Sequence, residues 1–105
     1  MLMMQLGQLQ SCGTEKRKIM EKKVLAFDFG ASGGRAMCGT FDGDKISIEE
    51  LHRFSNDPVI LNGSMYWDVL RLFFEIKQGL IKAKKCGKIE SIGIDTWGVD
   101  FGLID

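Results

Sequence analysis

The run Asp28-Phe29-Gly30-Ala31-Ser32-Gly33-Gly34-Arg35 gathers a carboxylate, three glycines, a hydroxyl and a guanidinium into one short stretch. Gly30, Gly33 and Gly34 let backbone N–H groups come within hydrogen-bond reach of an oxyanion with no Cβ in the way, while Ser32 adds a hydroxyl donor and Arg35 a charge. Between two strand-like runs, such a loop would turn its N–H groups inward as an anion nest, and phosphate is the natural guest. Asp28, at the end of the first run, would hold Mg²⁺ through water. Rival phosphate motifs fail: no Gly-Lys-Ser/Thr follows, and the next segment reads as a strand where a dinucleotide fold needs a helix. A second reading stands beside this one, a glycine-rich hairpin whose Asp merely accepts backbone hydrogen bonds.

A second constellation, Gly93-Ile94-Asp95-Thr96-Trp97-Gly98-Val99-Asp100, follows another strand-like run, at the kind of strand end where α/β sheets bind ligands. Asp95 and Asp100 suit sugar hydroxyls as acceptors, Trp97 offers an apolar wall, and Gly98 allows close approach to the backbone. The alternative is a buried turn whose Trp is core. His52, with no second His or Cys nearby, reads as a surface or packing residue. Trp67 reads as a packing residue at the start of a helix.

These residues need strands and a helix to position them. Val24 to Phe29 is a compact apolar run suited to a buried strand, and Arg35 to Phe41 resumes one after the glycines. Asp42-Gly43-Asp44 marks a hairpin turn. Lys45 to Phe54 alternates Ile46, Ile48 and Phe54 with polar residues, which predicts a third, half-buried strand with those apolar side chains on its buried side. Ser55 to Met65, with the only proline, reads as a long loop. From Asp68 as N-cap, Val69, Phe73, Ile76, Leu80 and Ala83 recur at helical spacing and predict one packed face, with Gly79 weakening the helix by about 1 kcal/mol. Lysines at its end and Gly87 as a left-handed cap predict a stop near Cys86. Lys88 to Asp95 then predicts a strand parallel to the first, and Val99 to Ile104 a further one.

The 105 residues are 45% hydrophobic and 27% charged, enough for one small α/β domain at most. Fourteen Lys and Arg balance fourteen Asp and Glu, so no net field draws the chain to nucleic acid or an acidic membrane. Cys12, Cys38 and Cys86 match neither a disulfide framework nor metal-ligand spacing, which suits a reducing cytoplasm. Positive charges follow the first apolar stretch where an export signal needs them before it, and no run approaches the roughly 18 residues that cross a bilayer. Residues 1–23 read as a disordered or mis-started extension, with Met20 as the natural start, and residues 24–105 as the folded part.

The two motifs together, Asp28 to Arg35 and Ser91-Ile92-Gly93-Ile94-Asp95-Thr96-Trp97-Gly98-Val99-Asp100-Phe101, closely resemble those of the rhamnulokinases, a branch of the carbohydrate kinases. Leu51 to Phe54 and Trp67 to Val69 resemble that branch as well. The resemblance implies a ribonuclease H-like, actin-like ATPase fold, of which this chain holds an incomplete N-terminal lobe: three antiparallel strands, a crossover helix and a further strand. It implies transfer of the γ-phosphoryl group of ATP, with Mg²⁺, to the 1-hydroxyl of L-rhamnulose. It places Ala31, Ser32, Gly33, Gly34 and Arg35 in the ATP loop, Asp28 at the metal-associated strand end and Gly98 in the sugar site. Gly33 stands where many members carry a second Ser, which removes a hydroxyl and keeps the N–H. The general base of that family falls in a later segment, so the chain is expected to lack it, to depend on the rest of a kinase chain, and to be inactive and poorly stable alone.

Overall fold

The computed structural model describes residues 21–105. The expectations for the first twenty residues, Cys12 and the choice of start among them, lie outside the described residues. The strands are β1 (Lys22–Phe29), β2 (Gly33–Phe41), β3 (Ile46–Ser55), β4 (Val59–Leu61), β5 (Ser64–Tyr66) and β6 (Ser91–Asp95). Four of them form one sheet in the order β3-β2-β1-β6, and β4 and β5 pair separately as a short hairpin. β1, β2 and β3 run antiparallel in turn, and β6 runs parallel to β1, as the sequence predicts. β1 begins at Lys22, two residues ahead of the expected apolar start.

The β2-β3 turn forms because Asp42 Oδ1 accepts from the backbone N–H groups of Asp44 and Lys45, at 2.9 and 2.8 Å, and Gly43 supplies the positive φ of 101°. Leu25, Phe27 and Phe29 of β1, Ala36 of β2 and Phe54 of β3 alternate onto one face and make the core with Ala83. Phe29 meets Phe27 and Phe54 edge to face, with ring centroids 6.1 and 5.6 Å apart.

The third strand departs from simple alternation. Ala36 pairs with His52 but Met37 pairs with Glu50, so Leu51 is an extra residue that bulges out of the ladder. A bulge shifts the side-chain phase. Phe54 and His52 therefore face the core, while Ile46 and Ile48, expected on the same side as Phe54, lie on the opposite face and are 69% and 65% exposed. Inside the expected long loop, Val59–Leu61 (β4) and Ser64–Tyr66 (β5) pair as a hairpin. Asn62 and Gly63 at its tip take φ of 51° and 79°, the two positive angles of a tight hairpin turn.

Helix α1 (Val69–Ala83) starts at Asp68, whose carboxylate accepts from the Arg71 N–H at 3.0 Å. Its packed stripe is Leu72, Glu75, Ile76, Gly79 and Ala83. Ile76 and Ala83 belong to the predicted face, but Val69, Phe73 and Leu80 turn outward, 70%, 56% and 38% exposed. The helix is apolar on two adjacent stripes, and the sheet selects the one with small residues. A Cβ at Gly79 would stand 2.5 Å from the Phe27 ring and 3.0 Å from the Ala36 Cβ, so glycine sets how closely the helix approaches. A short 3₁₀ turn, Lys84–Cys86, follows, and Gly87 ends it with φ 84° and ψ −144°, positive in φ but extended in ψ. The strand expected over 99–104 does not form: it has no partner ladder, and Phe101, Leu103 and Ile104 are nearly fully exposed.

A polar bridge also ties α1 to β3. Glu75, 3% exposed, accepts from His52 Nε2 and from Arg71 Nε at 2.6 Å. Lys82 Nζ donates to His52 Nδ1 at 2.7 Å, so Nδ1 is the acceptor and the ring proton sits on Nε2. His52 is thus a packing residue, as expected, with partners that the sequence did not reveal. Burial pushes the Glu75 carboxyl up, but hydrogen bonds from His52 and Arg71 outweigh it together and hold the group below the usual carboxylate range.

Two outcomes follow from this packing. Gly79→Ala, which gains about 1 kcal/mol of helix propensity, should still lower the urea midpoint, because overpacking against Phe27 costs about 1 to 3 kcal/mol; a raised midpoint would contradict the contact. Glu75 has a depressed folded pKa, so its contribution is complete above the unfolded carboxylate value near about pH 4.3 and fades as pH falls through the folded value. Glu75→Gln should therefore cost stability near neutrality and shrink the loss seen on acidification, read from urea midpoints across the acid range.

Candidate functional site

The two motifs meet at one end of the sheet. In the parallel pairing of β1 with β6, Asp28 and Asp95 are register partners, and in the antiparallel ladders Asp28 pairs with Arg35 and Arg35 with Arg53. One row across all four strands therefore reads Arg53, Arg35, Asp28, Asp95, on the face turned away from α1. Arg35 Nη2 binds Asp28 Oδ2 at 2.8 Å, both side chains about half exposed. Arg53, which sequence reasoning passed over, grips Glu50 through two bonds of 2.9 and 2.7 Å. That fork lowers the Glu50 pKa and raises that of Arg53.

Beside this row opens a cleft of about 630 Å³ lined by Asp28, Gly30, Ser32 to Arg35, Arg53, Phe54 and Ser55. All the expected phosphate-loop residues except Ala31 line it. The loop is held shut at its base by Gly30 N–H donating to Gly33 O at 2.9 Å. No residue from Gly30 to Gly34 takes a left-handed φ, so the glycines serve close packing rather than a left-handed nest. A Cβ at Gly34 would lie 2.1 Å from the Phe54 ring, and one at Gly33 would lie 3.0 Å from the Phe54 carbonyl oxygen. Ala31 and Ser32 are exposed residues, and among the described residues their N–H groups have no protein acceptor. Asn56, also passed over, reaches the loop from β3's far end, its Nδ2 on Gly30 O at 2.9 Å. The signal for it was faint: one polar residue in a stretch read as a loop.

The second motif lies next to this cleft without lining it. Asp95 ends β6, and the residues after it turn, with Asp100 N–H donating to Trp97 O at 2.9 Å. Trp97 is 53% exposed, and a Cβ on Gly98 would meet nothing within 4 Å. Asp100 accepts from the Trp67 indole at 2.9 Å, which joins the start of α1 to the second motif. No cluster of three or more His, Cys, Asp or Glu that could hold a metal occurs among the described residues, and no helix among them is long and apolar enough to cross a membrane. Cys38 and Cys86 are free thiols, and burial, with Cys86 alongside, raises the Cys38 pKa.

No protein-family profile matches the chain. Against individual proteins it is 52% identical over 83 residues to the rhamnulokinase of Halalkalibacterium halodurans, covering 77% of this chain and 17% of that protein. It is 48% identical over 85 residues to the rhamnulokinase of Mannheimia succiniciproducens, 78% of this chain and 18% of that protein. With the Bacillus subtilis rhamnulokinase it shares 44% over 81 residues, 76% of this chain and 17% of that protein. The chain thus spans less than a fifth of the length of the curated relatives it matches.

The Phe54 contact changes what a glycine substitution tests. Gly34→Val or Gly34→Ala should damage the sheet before it touches any ligand, by about 1 to 3 kcal/mol of overpacking for the smaller change. Circular dichroism and urea unfolding should show a lowered midpoint for Gly34→Ala, and an unchanged midpoint would show that Phe54 moves aside freely.

Proposed function

The chain is a piece of a rhamnulokinase-type sequence, and on that premise we propose that it carries the phosphate side of an ATP-dependent kinase acting on the 1-hydroxyl of L-rhamnulose. The observation that carries the reading is the register that sets Asp95 beside Asp28, so that the sugar-side motif and the glycine loop share one sheet end. A phosphate chain fits the loop's chemistry: the unpartnered N–H and the hydroxyl of Ser32 and the guanidinium of Arg35 border a roomy cleft, with the unpartnered Ala31 N–H next to them in the loop. Asp28 would hold Mg²⁺ through water, and the bound ion would neutralise phosphate charge. On the sugar side, Asp95, Trp97, Gly98 and Asp100 would supply acceptors, an apolar wall and close approach.

Phosphoryl transfer bonds the sugar oxygen to the γ-phosphorus as the bond to the ADP oxygen breaks, and the hydroxyl proton needs an acceptor. In this chain Asp28 is engaged by Arg35, Asp100 by Trp67, and Asp95 lies outside the cleft. The base is therefore assigned to another segment of a complete kinase. The same observation favours a second reading for the chain by itself, a nucleotide-binding remnant without turnover. The partners proposed are ATP, a small sugar and the rest of a kinase chain, in a reducing cytoplasm, with no nucleic acid or membrane.

The test is to exchange the matching segment of the Bacillus subtilis rhamnulokinase for residues 24–105 of this chain. ADP release should depend on L-rhamnulose, while the 105-residue chain assayed alone with Mg-ATP should give none. Equal or better turnover of the exchanged protein on glycerol, xylulose or gluconate would overturn the sugar assignment and leave the kinase class in place.

A further inference from the structure

Asn56 sits just past β3, between Ser55 and Asp57, whose side chains bond each other at 2.8 Å. It is only 8% exposed, rare for a polar residue in a connecting segment, and it directs two donors at the same loop. Its Nδ2 donates to Gly30 O at 2.9 Å, and its backbone N–H donates to Ser32 O at 3.2 Å. A trans peptide unit points its C=O and its N–H in opposite directions. Drawing Gly30 O toward Asn56 therefore turns the N–H of Ala31 away from it, toward solvent, where it has no protein acceptor. With Gly33 O taken by Gly30 N–H, three successive constraints fix the loop from its carbonyl side.

We propose that Asn56 is the positioning residue of the glycine loop: its carboxamide and backbone N–H hold the Gly30 and Ser32 carbonyls and so turn the Ala31 N–H to the loop's opposite edge, where a phosphoryl oxygen would meet it. The assignment of the ligand rests on the reading of this loop as the phosphate site; the holding of the loop does not. Only the side-chain bond is removable by substitution. Asn56→Asp keeps the shape but sets a carboxylate oxygen against the Gly30 carbonyl, and Asn56→Ala removes the donor with no such repulsion.

The experiment is nitrogen-15 relaxation on the 105-residue chain without ligand, followed by titration with Mg-ATP and, separately, with inorganic tripolyphosphate. In both variants the order parameters of Ala31 and Ser32 should fall from about 0.85 toward below about 0.6 while those of Phe27 and Ala36 hold. Affinity for both probes should weaken about tenfold, the equivalent of one hydrogen bond. Unchanged loop order parameters would overturn the proposal. So would loss of dispersed Phe27 and Ala36 signals in both variants, which would make Asn56 a residue of overall stability. If the unsubstituted chain binds neither probe, the phosphate reading fails, while the loop order parameters still decide what Asn56 does.

Discussion

The ring of Phe27 is the point about which the sheet and the helix are arranged. It lies in β1, one of the sheet's two inner strands, 1% exposed, with Phe29 beside it and Gly79 of α1 closing over it. Any side chain at position 79 would lift the helix from the sheet. The chain between β3 and β6 crosses over through this helix and returns as the strand whose parallel pairing with β1 sets Asp95 beside Asp28. The Phe27–Gly79 contact thus fixes where the crossover helix lies over β2 and β3, and a packed interior leaves displaced atoms no slack to absorb a shift there.

The bulge at Leu51 performs the complementary task on the other side. Without it, the residues that follow would reverse faces: Phe54 would leave the core and Arg53 would enter it. With it, Phe54 covers Gly34 and meets Phe29, and Arg53 joins the cleft. The cost is that Ile46 and Ile48 lie on the uncovered face, near Phe41 and Val24, all at least 40% exposed. On the helix side, Ile92 and Ile94 share the face of Leu25 and Phe27 but are 53% and 54% exposed, since α1 lies over β2 and β3.

Most of this architecture was legible wherever a local rule decides it. Asp42-Gly43-Asp44, the Asp68 cap, the stop at Gly87 and the parallel return of β6 all rest on short-range chemistry or on general topology. The failures share a cause. Ile46, Ile48 and Phe54 keep a strict two-residue spacing, and no feature of Leu51 announces the bulge that divides them. The helix carries enough apolar residues for two stripes, and only the sheet's shape chooses between them. Gly79 looks like a weakness in a helix until Phe27 is known to lie beneath it. The two motifs were legible as composition, whereas Arg53 and Asn56 enter the site through register and a hydrogen bond between segments 26 residues apart.

The charge pattern bears on how the proposed phosphate site would hold an anion. Two arginines and two aspartates lie in one row, with like charges adjacent at each end, an arrangement that repels unless each charge finds a partner. Arg35 turns to Asp28 and Arg53 turns to Glu50. Both cations are thereby largely neutralised, and both pairs are exposed enough to be screened by salt. On the proposed phosphate reading, the pull on an anion would then not come mainly from net charge. It would come from oriented donors that the fold leaves unsatisfied: the Ser32 N–H at the cleft, the Ala31 N–H next to it in the loop, and the guanidinium hydrogens that the carboxylates do not use. Such a site would recognise an oxyanion by the direction of its hydrogen bonds. The small groups at the loop's base therefore matter more than the count of basic residues around it.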